Sequence, residues 1–167
     1  VDDGEYGKPS RAAVDYGAFW SYIYPRLTGY EMKEAEGYGP IASMDRQNYR
    51  GFYGSGEIPS GMMSQSGPRM QPVCTGPIKY VGHDMIKRDI ENLKAALKSA
   101  GAEEGFITAV SPGQMQIRGN EYYKTNEEYV QALADAMREE YKAIIDAGLI
   151  LQIDDPAVVQ LYDWWYS

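Results

Sequence analysis

Between residues 72 and 156 short apolar runs alternate with long amphipathic stretches, and this alternation constrains the fold more than any other feature of the sequence. The runs at 72–80, 106–110 and 148–156 have strand length and are bounded by glycine, proline and polar turn residues. Gly76-Pro77 would be costly inside a central strand, so it marks the end of the first run. In the first amphipathic stretch Ile86, Ile90, Leu93 and Leu97 form one stripe, with Asp84 ahead of it as the expected N-cap and Gly101 behind it as the expected C-terminal cap. Strand, helix, strand, helix, strand amounts to two successive crossover units. Such units build parallel sheets, and the class expected is α/β.

The second amphipathic stretch, 125–147, is the stronger helix signal. Val130, Leu133, Ala134, Met137, Tyr141, Ile144 and Ile145 repeat at the spacing of one helical face. Thr125 and Glu128 stand in the relation in which a hydroxyl and a carboxylate each satisfy an open backbone amide, and Gly148 can supply a left-handed residue at the far end. The run that follows, Gly148-Leu149-Ile150-Leu151-Gln152-Ile153-Asp154-Asp155-Pro156, reads as a strand buried on both faces. Asp154 and Asp155 fall where that strand ends. In parallel α/β architectures the carboxyl ends of strands are where ligands are met, which makes these two carboxylates the leading functional candidates.

Upstream the pattern is weaker. Residues 11–27 carry Val14, Ala18, Phe19, Tyr22 and Ile23 on one face and read as a helix, with Pro25 opposing a regular far end. Residues 28–71 lose the periodicity to glycine, tyrosine, methionine and serine, and form an expected irregular insertion with room for a hairpin or short helices. Its tyrosines either line a pocket mouth or pack the excursion on the surface. The first five residues read as the end of a strand followed by an acidic turn. Without an initiator methionine, and with an apolar stretch at 157–166, the sequence reads as a portion of a longer chain.

Charge and rare residues narrow the function. A net charge of −8, from 16 basic and 24 acidic residues, argues against a phosphate backbone as partner, because that contact draws on clustered Lys and Arg. Nucleic acid is not expected. One cysteine, Cys74, and one histidine, His83, allow neither a disulfide framework nor a zinc site made from this chain by itself, and point to a reducing, cytoplasmic setting. No apolar run approaches the roughly 20 residues of a membrane span, so no membrane partner is expected.

Four motifs in order, Asp3-Gly4-Glu5, Thr75-Gly76-Pro77, Asn120-Glu121-Tyr122-Tyr123 and Leu151-Gln152-Ile153-Asp154-Asp155-Pro156, resemble the cobalamin-independent methionine synthases. The resemblance is to the short, single-domain proteins similar to the catalytic C-terminal half of that enzyme, and covers most of the chain. It implies a (β/α)8 barrel of which residues 1–167 hold an incomplete, middle portion. It also implies a zinc-dependent methyltransferase of methionine biosynthesis, in which zinc binds the homocysteine thiol as a thiolate and a folate donates the methyl group. The family's zinc ligands lie beyond the Asp-Asp-Pro motif, so zinc is expected for the complete protein with none of its ligands in this sequence.

By the same resemblance Glu5 and Asp154 match the carboxylates that hold the homocysteine amino group. Read without the family, Glu5 is a solvated turn residue and Asp154 an N-cap for the segment after Pro156. Asp3, Thr75, His83, Ser111, Asp155 and Gln160 are the further candidates for the pocket. His83 stands where the family has a folate-stacking tryptophan and Gln160 where it has a glutamate, so the donor side departs from the pattern and leaves the alkyl donor open. Two alternatives stay beside the methyltransferase. One is a related zinc-thiolate alkyltransferase that takes a different thiol, such as coenzyme M, or a different donor. The other is a non-catalytic half-barrel that pairs with itself or with a complementing chain.

Overall fold

The computed structural model describes residues 22–35, 48–51, 69–116 and 119–157. A 3-10 turn, Tyr24–Arg26, leads into strand β1, Tyr30–Ala35, which pairs antiparallel with β2, Arg69–Cys74, in the register Tyr30↔Cys74 to Ala35↔Arg69. Helix α1, His83–Ala100, connects to β3, Phe106–Val110; a short helix α2, Pro112–Gln116, and the long α3, Asn126–Asp146, then lead to β4, Ile150–Asp154. β3 and β4 are parallel, from Phe106↔Ile150 to Val110↔Asp154. The expected crossover from 106 to 154 is therefore present.

Two expectations for the first half change. The strand at 72–80 begins and ends earlier, at Arg69–Cys74, because Gly76-Pro77 lies in the loop that returns towards Tyr80. Its ladder partner is β1, drawn from the stretch 28–71 that lacks a periodic pattern, and the pair is antiparallel. Among the described residues the strands form two two-stranded sheets and no closed barrel. A single bridge, Cys74 with Asn120, carries β2 towards the rest in parallel sense.

The helices start and stop for the reasons their sequences give. Thr125 caps α3 by accepting the Glu128 amide at 3.2 Å, and the Glu128 carboxylate returns to the Lys124 amide at 3.1 Å. Gly101 and Gly148 follow α1 and α3 at φ of 65° and 76°, a left-handed conformation that residues with a Cβ resist. The N-cap of α1 is Gly82 rather than Asp84, which sits inside the first turn, where its charge still favours the helix dipole.

One face of α3 makes the core. Tyr129, Leu133, Met137 and Ile144 are buried there with Val110, Ala109 and Met115. Burial of side chains this large contributes about 1.5–3 kcal/mol each, which anchors α3 against the parallel pair. β4 is less enclosed than an unbroken apolar run suggests: Ile150 and Ile153 are each 52% exposed. Its one strand partner among the described residues is β3. Among those residues no helix is long and apolar enough to cross a membrane.

Candidate functional site

The parallel register sets Asp154 beside Val110, so both strands end together. The chain then turns over these ends. Ser111 donates its backbone amide to the Asp154 carbonyl at 3.0 Å, and its hydroxyl accepts the Gln114 amide at 2.9 Å. Ser111 is thus the residue that opens α2, and what reads as a polar turn at Ser111-Pro112-Gly113 is the start of that helix. From the helix layer Tyr141 donates its hydroxyl to the Val110 carbonyl at 2.6 Å. Burial, then Glu140 and Asp155, push the Tyr141 phenol up from its ordinary value, so it remains a donor.

Ser111, Asp154 and Asp155 are therefore brought to one strand end. Asp155 lies against Gly113 so closely that a Cβ at Gly113 would meet its Oδ2 at 2.9 Å. Gln114, part of the 111–116 turn expected to line the pocket but not singled out within it, is 4% exposed, and its Oε1 has no hydrogen-bond partner among the described residues; Asp155 Oδ1 shares that state.

The other candidates separate. Thr75, one residue beyond β2, donates its backbone amide to the Gly29 carbonyl at 2.8 Å. His83 opens α1 and faces Glu139 of α3 at 2.7 Å, both side chains more than half exposed. With Ile86, Ile90, Lys94 and Ala143 these two line a shallow groove of about 330 Å³ along the two helices. Asp3, Glu5 and Gln160 lie outside the described residues.

A second cluster escapes a motif reading altogether. Glu140 is fully buried and accepts hydrogen bonds from the Tyr22 hydroxyl, the Tyr80 hydroxyl at 2.5 Å and Arg26 Nη1 at 3.0 Å. Arg26 Nη2 reaches Asp89 of α1 at 2.5 Å, and the guanidinium lies 4.3 Å from the Tyr22 ring centre. Burial works against the Arg26 charge, yet Glu140 and Asp89 outweigh it and hold the guanidinium protonated. Desolvation first, and the neighbouring Glu140 second, raise the Tyr22 and Tyr80 phenols well above the ordinary value. The signal was in the spacing: Glu140 stands three residues after Met137 and four before Ile144, on the apolar stripe itself.

Among the described residues the side chains do not fit zinc. Cys74 is buried, burial pushes its thiol up, and His83 is engaged with Glu139. Among the described residues no three His, Cys, Asp or Glu side chains converge to hold a metal ion. Comparisons with protein families, with curated proteins and with solved structures find no match for this chain.

Proposed function

We propose that this chain carries the amine-binding part of a thiol S-methyltransferase resembling the cobalamin-independent methionine synthases, working in methionine biosynthesis in the cytoplasm. The observation that supports it is the end of β4: Asp154, the residue that matches the family's amine-holding aspartate, closes a parallel strand beside β3 with Ser111 next to it. A carboxylate at such an end gives an ammonium group a charge-assisted hydrogen bond, and Glu5 is the second carboxylate in this reading. Holding the amine fixes where the thiol points, which is the chain's own contribution to the rate. The methyl-accepting thiolate chemistry belongs to residues beyond the set this chain supplies. A barrel closed by further strands is part of the same proposal.

The acidic strand end also separates this reading from its nearest alternative. A thiol that ends in a sulfonate, as in coenzyme M, would meet carboxylates at the place where an ammonium finds partners. Calorimetric titration of the chain with homocysteine, with methionine and with 2-sulfanylethanesulfonate tests the point. The two amino acids are expected to bind and the sulfonate not to, with Asp154→Asn weakening homocysteine roughly 10- to 100-fold, the equivalent of one charge-assisted bond. Equal affinity of the chain and of Asp154→Asn for homocysteine removes the proposal.

A further inference from the structure

We propose that Tyr141 is a positioning residue for Asp154, acting through the Val110–Ser111 peptide unit at the carboxyl ends of β3 and β4. In a trans peptide the carbonyl and the amide hydrogen point to opposite sides of one rigid plane. The Ser111 amide donates to the Asp154 carbonyl at 3.0 Å, towards β4, so the Val110 carbonyl of the same plane points away from β4. There it accepts the Tyr141 hydroxyl at 2.6 Å. The plane is gripped from both sides, and one chain of hydrogen bonds runs from a phenol on α3 to the backbone of Asp154.

Each link strengthens the next. A hydroxyl donated to the carbonyl polarises the peptide and makes its N–H the better donor towards Asp154. Val110 is fully buried, so bulk water does not take the place of the hydroxyl. The phenol is itself held in position. Tyr141 lies four residues after Met137 and three before Ile144, both in the core, and next to Glu140, whose carboxylate is fixed by Tyr22, Tyr80 and Arg26. Burial keeps the Tyr141 phenol protonated, with Glu140 and Asp155 adding to the effect, so the donor is present throughout the neutral range.

What the chain positions is a short side chain. Aspartate has a single methylene between its backbone and its carboxyl group, so a small rotation of the strand end carries the carboxylate with it. At the last rung of the parallel pair, where Val110 stands beside Asp154, the phenol supplies from the helix layer the hold that the ladder gives further down the strands. The role given to Asp154 rests on the methyl-transfer reading; the hydrogen-bond chain that places it does not.

The test is a double-mutant cycle on homocysteine binding to the whole chain, with backbone amide hydrogen exchange as a reading that needs no ligand. Tyr141→Phe removes the hydroxyl and keeps the ring. Homocysteine affinity is expected to fall roughly 2- to 10-fold, the size of one neutral hydrogen bond. It is expected to fall no further when Tyr141→Phe is added to Asp154→Asn, because the two act in series. Additive losses overturn the proposal, since they describe a tyrosine that supports the fold at large. Exchange at the Ser111 amide is expected to quicken in Tyr141→Phe relative to that of Ile150, whose amide donates to the Gly105 carbonyl at the other end of the same two strands. Equal acceleration of both amides, or no change at Ser111, overturns it as well. Where Tyr141→Phe does not fold, 3-fluorotyrosine in place of Tyr141 decides: its more acidic hydroxyl is the stronger donor and is expected to slow Ser111 exchange, and an unchanged rate overturns the proposal. A parent chain that binds no homocysteine removes the methyl-transfer reading alone, and Ser111 exchange then decides on Tyr141.

Discussion

Arg26 and Glu140, 114 residues apart in sequence, meet at 3.0 Å in the interior, with the carboxylate fully buried and the guanidinium nearly so. The pair ties the turn before β1 to the middle of α3, and through Asp89 to α1 as well. An isolated buried carboxylate would be strongly destabilising, but three donors surround this one. Replacing Arg26 by methionine keeps most of the volume while leaving Glu140 with its charge uncompensated. The loss expected is about 3–5 kcal/mol in urea-induced unfolding, whereas the double change Arg26→Met with Glu140→Leu recovers a large part of it. A single Arg26→Met variant as stable as the parent chain would show that the pair is not a structural unit.

The tyrosines around Glu140 make stability fall at high pH. Tyr22 and Tyr80 have folded-state phenols raised above the ordinary value of 10.0 by desolvation and by Glu140. In the unfolded chain they ionise near that ordinary value, so above it the unfolded state binds fewer protons and is favoured. Their contribution is complete below pH ~10 and is lost as pH rises beyond it. Urea midpoints measured from pH 8 to 12 are expected to be level and then to drop, with a shallower drop in Tyr22→Phe and Tyr80→Phe. Equal slopes in the parent and in both variants would contradict this.

The ends of α3 can be weighed separately. Thr125→Ala removes the acceptor for the Glu128 amide, and a cap of this kind stabilises by about 1 kcal/mol. Gly148→Ala forces a Cβ into φ 76°, at a cost of about 1 kcal/mol from the left-handed backbone alone, since nothing within 4 Å would clash with the added atom. Both changes lie on the surface at opposite ends of a 21-residue helix, so their effects on the unfolding midpoint are expected to add. A double variant that loses much more than the sum would mean that the helix ends communicate.

These cases also mark which parts of the molecule could be read from its residues. α1, β3, α3 and β4 follow from apolar spacing and from caps whose chemistry is local: Thr125, Glu128, Gly101 and Gly148 act on neighbours a few positions away. The antiparallel pairing of β2 with β1 was not legible in the same way. Its partner, Tyr30–Ala35, is YEMKEA, whose side chains at Glu31, Met32 and Glu34 are exposed, so no alternation of buried positions advertises it. At the site, Asp154, Asp155 and Ser111 were recognisable because they follow strands. Glu140 carried one local sign, its place on the apolar stripe of α3, while Gln114 carried none and is distinguished only by its burial.

The metal question yields the sharpest chemical test. Cys74, the one cysteine of the sequence, is buried at the end of β2, where its thiol lies 3.4 Å from the Gly76 carbonyl and is held protonated by burial. His83, the one histidine, sits at the exposed start of α1 beside Glu139. A tight zinc site needs about four ligands of the cysteine, histidine or carboxylate type in tetrahedral array, and a deprotonated thiolate among them binds far better than a thiol. The chain is therefore expected to hold zinc no more tightly than a surface carboxylate pair does, and to release it to a weak chromophoric chelator. His83→Ala and Cys74→Ser should leave that weak binding unchanged. Stoichiometric zinc that survives dialysis against the chelator, and is lost with either substitution, would mean that these two side chains reach a common ion.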